Sequence, residues 1–80
     1  MMRITVDYFA ILREQAGRDR EVIETAVATP RQLYAELVDR YGFELPAARL
    51  RVAINDTFAD WSQALADGDR LVFIPPVAGG

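Results

Sequence analysis

From Arg3 to Phe9 the chain alternates, with Ile4, Val6 and Tyr8 on one face and Thr5, Asp7 and Phe9 on the other. A period of two in β-branched and aromatic residues predicts a strand. Ala10 to Ala16 breaks that period and reads as a short helix, with Gly17 as its stop. Glu21 to Val27 returns to extended character through Val22, Ile23, Thr25 and Val27. The two extended runs fit an antiparallel pair joined by the helical excursion instead of a tight turn.

Thr29-Pro30-Arg31-Gln32 is the clearest local signal. The Thr29 hydroxyl can accept an orphan backbone N–H, and Pro30 falls where a missing N–H costs nothing. Gln32 at the third helical position can reach back to the Thr29 N–H and complete a capping box. Leu33, Tyr34, Leu37, Val38 and Tyr41 then make one helical stripe, and Gly42 supplies a left-handed stop. This is the main helix, about three turns long.

Phe43 to Ala48 contains Pro46 and reads as a connection. Leu50, Val52 and Ile54 alternate with Arg51 and Ala53, which predicts a strand over Leu50 to Ile54. Asn55-Asp56 signals a turn before Thr57-Phe58, and Asp67-Gly68-Asp69 signals another before a last strand over Arg70 to Ile74. Ala59 to Ala66 fits no single pattern, with Trp61 and Leu65 as core or boundary residues. One amphipathic helix must bury its stripe, and a sheet of four or five strands is its available partner. The class is therefore a two-layer α+β domain over residues 1–74, followed by an extended tail over 75–80.

Composition narrows the chemistry. The 80 residues include no Cys, no His and no Lys, and Ser62 is the single serine. Disulfides, thiolate nucleophiles, Ser–His–Asp catalysis, Schiff bases and the lysine of a phosphate loop are excluded within this chain, and a zinc site lacks its usual ligands. No metal site is expected. Nine scattered arginines against twelve acidic residues leave a net charge of -3 with no basic stripe, so neither nucleic acid nor a membrane is an expected partner. Asp7, Arg13 and Glu14 break any leader-like apolar run near Met1, and the chain reads as cytoplasmic.

The last stretch, Pro75-Pro76-Val77-Ala78-Gly79-Gly80, follows the final strand directly. Pro75 and Pro76 cannot donate to a sheet ladder, and together they stiffen the chain in an extended form. Gly79 and Gly80 carry no side chains, so their backbone fits a channel that a side chain would block. Six extended residues reach about 20 Å. Composition alone reads such a stretch as an ordinary loose terminus. Two features point elsewhere: the stiff proline pair at its root and the two glycines at its end; it also carries no charged side chain.

Tyr8-Phe9-Ala10-Ile11-Leu12-Arg13-Glu14, Ala53-Ile54-Asn55-Asp56-Thr57, Asp67-Gly68-Asp69 and above all Phe73-Ile74-Pro75-Pro76-Val77-Ala78-Gly79-Gly80 resemble the small subunits of molybdopterin synthase, within the MoaD/ThiS group of ubiquitin-like sulfur carriers. The resemblance covers nearly the whole chain; Ile74 stands where the family often has Phe. It implies a β-grasp fold: a mixed sheet packed on one main helix, with a Gly-Gly tail. It implies that an adenylyltransferase partner uses ATP and Mg²⁺ to adenylate Gly80, with no cofactor held by this chain. A sulfurtransferase persulfide then converts Gly80 to a thiocarboxylate. Pro75, Pro76, Val77, Ala78 and Gly79 would carry it into the large subunit, within a heterotetramer. Sulfur would pass there to a cyclic pyranopterin precursor to build the dithiolene of molybdopterin. Phe9, Phe58 and Ile74, which taken singly read as ordinary packing, match the family's apolar contact surface for the large subunit. Sulfur carriers for thiazole, cysteine or thionucleoside synthesis share the Gly-Gly terminus, as do ubiquitin-like protein modifiers; the Pro-Pro pair favours the molybdopterin branch.

Overall fold

The computed structural model describes residues 1–76. The alternating start of the chain forms β1 (Met2–Asp7), and the Ala10–Ala16 helix is α1. Then come β2 (Arg20–Thr25), α2 (Pro30–Tyr41), a 3-10 turn at Ala47–Arg49, β3 (Arg51–Ile54), β4 (Thr57–Ala59) and β5 (Arg70–Ile74). The sheet has five strands in the order β2-β1-β5-β3-β4. Its central pair, β1 and β5, is parallel; every other pairing is antiparallel. This is the β-grasp arrangement the resemblance implies.

Local chemistry sets the element ends. Gly17 and Gly42 close α1 and α2 in left-handed conformations that residues with a Cβ disfavour. The Thr29 hydroxyl accepts the Gln32 N–H at 3.3 Å, as the cap requires. The Gln32 side chain reaches one residue further back than the capping box predicts: its carbonyl oxygen accepts the Ala28 N–H at 2.8 Å, not that of Thr29. The strand read over Glu21 to Val27 stops at Thr25, whose hydroxyl accepts the Val27 N–H and turns the chain. Asn55 and Asp56 both have positive φ, which matches the right-handed twist of a two-residue hairpin between Ile54 and Thr57.

Of the segment that fits no pattern, Ala59 to Ala66, Ala59 closes β4 and the rest is irregular for a tertiary reason. Its backbone satisfies the start of α2: Arg31 N–H donates to the Trp61 carbonyl at 3.0 Å, and Leu65 N–H donates to the Ala28 carbonyl at 2.8 Å. An orphan donor of the helix thus finds its acceptor in a loop. Trp61 packs against the core's edge and Leu65 is buried.

Ile4, Val6, Leu71 and Phe73 from the sheet, and Tyr8 just past β1, meet Leu33, Tyr34 and Leu37 of α2, with Leu12 and Ala16 of α1 closing one end. Six aromatic rings form one network: Tyr8, Tyr34, Tyr41, Phe43, Trp61 and Phe73, with neighbouring centroids 5.1–6.1 Å apart. The Tyr34 hydroxyl donates to the Leu45 carbonyl, and the other two hydroxyls meet at Glu21, a side chain only 9% exposed. Tyr8 and Tyr41 hydroxyls donate to its Oε2 at 2.5 and 2.6 Å, and Arg18 and Arg40 approach its Oε1 at 3.5 and 3.8 Å. A carboxylate this enclosed is tolerable only because hydrogen bonds and cations surround it. The cluster ties β2 to the end of β1 and to the last turn of α2.

Burial raises the Tyr8 phenol well above its ordinary pKa, and its bond to Glu21 adds to that; burial also raises Tyr34 and Tyr41. A phenol that ionises later in the folded chain than in the unfolded one stabilises the fold below the unfolded pKa. Stability should therefore hold up to about pH 10 and fall above it, as the unfolded chain alone loses phenol protons. Urea unfolding at stepped pH checks this. Tyr8→Phe should lower neutral-pH stability by about 1–3 kcal/mol, since Glu21 loses a donor, and should flatten the alkaline fall.

Candidate functional site

The face of the sheet opposite the helices holds the site. Register aligns one row across four strands: Asp7 of β1 pairs with Val72 of β5, Val72 with Ala53 of β3, and Ala53 with Phe58 of β4. The two middle side chains are short. They leave an open depression of about 320 Å³, lined by Asp7, Phe9, Ala53, Asp56, Phe58, Arg70, Val72 and Ile74. The three residues singled out from sequence as an apolar contact surface are therefore brought together on one patch.

Two of them stand out in the aromatic inventory. The chain has eight aromatic residues, and Phe9 and Phe58 are the two outside the inner network. Phe9 is 50% exposed and Phe58 is 66% exposed. Ordinary packing does not account for either. Phe9 also lies past the strand that the alternation extends to it: β1 ends at Asp7, and Phe9 is the extended residue before α1. Ala10 follows at φ 52, a left-handed turn that a Cβ disfavours by about 1 kcal/mol. That turn takes the chain off the sheet at Phe9. Ile74 is half-buried and is the last residue of β5.

One side of the depression is ionic, which the sequence did not reveal. Asp7 is only 9% exposed, and its carboxylate accepts Arg20 Nε at 2.5 Å and Arg20 Nη2 at 3.3 Å. Arg70 Nε lies 3.8 Å from Asp7 Oδ2, the oxygen that Arg20 Nη2 also contacts, buried and without a hydrogen bond, while Arg70 Nη2 donates to Asp56. Asn55 fastens this corner: its Oδ1 accepts the Arg70 N–H at 3.0 Å, and its Nδ2 donates to Asp69 at 2.9 Å. Alternating charges thus run across β2, β1, β5 and the β3–β4 turn. The signal in the sequence was Asp7 on the same strand face as Phe9; its partners lie far along the chain.

Beyond Ile74, Pro75 is half-buried and Pro76 exposed. With Arg49, Arg51, Phe58 and Ile74 they line a second depression of about 460 Å³, continuous with the first through Phe58 and Ile74. Val77, Ala78, Gly79 and Gly80 lie outside the described residues. Among the described residues no three acidic, His or Cys side chains gather as metal ligands do, and no helix is long and apolar enough to cross a membrane.

The arrangement is an open apolar dip with an ionic border, set beside Pro75 and Pro76. Known proteins with this architecture agree on its kinship. The chain is 36% identical over 80 residues to the molybdopterin synthase sulfur carrier subunit of Escherichia coli, covering 96% of this chain and 99% of that one. In structure it is similar to a putative molybdopterin converting factor subunit 1 from Pyrococcus furiosus, with a TM-score of 0.80, 31% identity, and 96% and 100% of the two chains covered. It is comparably similar to the small archaeal modifier protein 1 of Haloferax volcanii, with a TM-score of 0.79, 26% identity, and 96% and 100% covered. A chain in the complex of subunits 1 and 2 of the Helicobacter pylori molybdopterin-converting factor matches at a TM-score of 0.70 and 26% identity, with 99% and 100% covered. The ThiS family profile matches residues 6–80. With that match and the full-length likeness to sulfur carrier subunits, the chain belongs to the ThiS family.

Proposed function

We propose that this chain is the sulfur-carrier subunit of a molybdopterin synthase, with Gly80 as the atom-carrying residue. The observation that carries the reading is the placement of Phe9, Phe58 and Ile74 around one depression at the root of Pro75-Pro76, in a chain whose family match runs to Gly80. An ionised carboxylate is a poor electrophile, so it must be activated first. One Gly80 oxygen attacks the α-phosphorus of ATP, held with Mg²⁺ by an adenylyltransferase partner, and pyrophosphate leaves. A persulfide sulfur of a sulfurtransferase then attacks the acyl carbon and AMP leaves. A thiol splits the resulting acyl disulfide and frees the thiocarboxylate.

The large subunit next receives the tail. Pro75 and Pro76 hold it extended, and the small residues Val77, Ala78, Gly79 and Gly80 let it thread to a site where the cyclic pyranopterin precursor takes up the sulfur. The apolar dip around Phe9, Phe58 and Ile74 docks on the large subunit and fixes the point from which the tail projects. Such a patch, apolar at its centre with a charged border, has the anatomy of a protein–protein interface. The division of labour fits the composition: the carrier needs a reactive terminus, and its partners hold the catalytic side chains. The complex of Helicobacter pylori subunits 1 and 2 supports a two-subunit assembly, here a heterotetramer of two small and two large subunits in the cytoplasm.

The likeness to a small archaeal modifier supports a second reading, in which Gly80 is joined to target lysines. Intact mass of the chain recovered from cells separates the two. The carrier gives a species with one oxygen replaced by sulfur; a modifier gives larger conjugates.

Two outcomes test the first reading. With the adenylyltransferase, ATP and Mg²⁺, the chain should support ATP–pyrophosphate exchange, and C-terminal amidation should abolish it without changing the melting temperature. Equal exchange by both forms would remove Gly80 as the activated group. Separately, Phe58→Asp should weaken binding to the large subunit by about tenfold or more while leaving the melting temperature nearly unchanged, because the ring is largely exposed already. Unfolding by this variant would assign Phe58 to the core.

A further inference from the structure

Six of the nine arginines form ion pairs with carboxylates. The remaining three, Arg31, Arg49 and Arg51, form none among the described residues. Arg31 is on α2, but Arg49 and Arg51 sit together. Arg49 ends the 3-10 turn, and Arg51 opens β3 in register with Ile74, the residue before Pro75. Both are exposed, and both line the depression at the tail's root with Phe58, Ile74, Pro75 and Pro76. The Arg51 guanidinium carbon stands 5.7 Å from the centroid of the Phe58 ring, within cation–π range. That contact holds the charge over the apolar patch.

Two cations without a carboxylate partner among the described residues are thus placed on the docking side of a chain whose net charge is -3. Two arginines on an acidic domain are too few to hold a polyanion such as nucleic acid, whose affinity grows with the number of phosphates neutralised. They suit a pair of carboxylates on a folded partner, met beside an apolar contact that excludes water. We propose that Arg49 and Arg51 form a cationic collar that pairs with carboxylates at the mouth of the large-subunit channel receiving the tail. The proposal rests on the carrier reading above and names the chemistry of its partner surface. On that reading the tip of the tail is an anion, so the tail is negative at its tip and positive at its root. The channel should be the reverse, cationic within and anionic at the mouth. Such matched polarity orients the encounter before contact, and its effect falls as salt screens it.

The test is calorimetric affinity of the full chain for its large subunit at about 50 mM and about 500 mM NaCl, where the screening length falls from well above 10 Å to only a few ångströms. Arg49→Gln/Arg51→Gln should weaken binding about tenfold at low salt, the size expected for two partly exposed pairs. The deficit should shrink at high salt. Arg49→Lys/Arg51→Lys should keep most of the affinity, and Arg31→Gln should change nothing; melting temperatures should match throughout. Equal low-salt binding by the wild type and the Gln variant overturns the collar and leaves the carrier reading intact. So does an equal deficit at both salts, which would mark a loss of shape instead of charge. If removal of Val77–Gly80 shifts the melting temperature in the wild type but not in the Gln variant, the collar serves the chain's own terminus and the proposal falls. No binding by the wild type itself would overturn the carrier reading and the collar with it.

Discussion

Parallel pairing of β1 with β5 at the centre of the sheet is the constraint on which the rest of the arrangement depends. Parallel neighbours end at the same edge. The chain therefore leaves β1 toward Phe9 and leaves β5 toward Pro75 on one side of the domain. Antiparallel pairing of β3 with β5 then brings the start of β3 to that edge, with Arg51 opposite Ile74. The β3–β4 hairpin adds Phe58 opposite Ala53. Residues separated by most of the chain's length thus share one patch through strand direction and register alone. Parallel strands cannot be joined by a tight turn, so the intervening chain carries β2, α2, β3 and β4.

The aromatic residues divide along the same lines. Six are locked into one inner network, in which the Tyr8 and Tyr41 phenols meet at Glu21 and the Tyr34 phenol donates to the Leu45 carbonyl, and two are left on the opposite face. The inner set fixes α2 against the sheet and needs no partner. The outer pair exposes apolar area that water does not favour and that a second protein can cover. Between them the sheet itself is the spacer, so a change to the open face leaves the core packing in place.

The ionic border has a different physical role from the apolar dip. Asp7 is nearly enclosed, and it is tolerated there because Arg20 and Arg70 flank it and Asp56 anchors Arg70 from the other side. Removing one member would leave the others unpaired, which is costlier than exchanging the whole set. Asn55 joins this corner to the Asp67–Asp69 turn, which in turn is fastened to β1 by Arg3 N–H donating to Asp67 and by Thr5 N–H donating to the Asp69 carbonyl. The hairpin that carries Phe58 is therefore held to the strand that leads to Phe9. The open face of the sheet is thereby held in a fixed shape.

Local chemistry written along the chain was sufficient for most elements. The period-two runs set β1, β3 and β5; Thr29, Pro30 and Gly42 set the ends of α2; Asn55-Asp56 and Asp67-Gly68-Asp69 set two turns. Each depends on neighbours within a few residues, so sequence alone determined it. What the sequence could not decide required partners distant along the chain. Ala59 to Ala66 has no period because its backbone bonds go to Ala28 and Arg31. Gln32 bonds the Ala28 N–H and not that of Thr29, a choice set by how the chain enters α2. The Asp7, Arg20, Arg70 and Asp56 border joins four separate elements, and the cluster at Glu21 joins three. Whether Phe9 and Phe58 were core or surface was undecidable from their type, because an apolar side chain on a strand fits either face of a sheet. Only the tertiary fold, by giving both helices to the Ile4 and Val6 face, left those two rings on the open side.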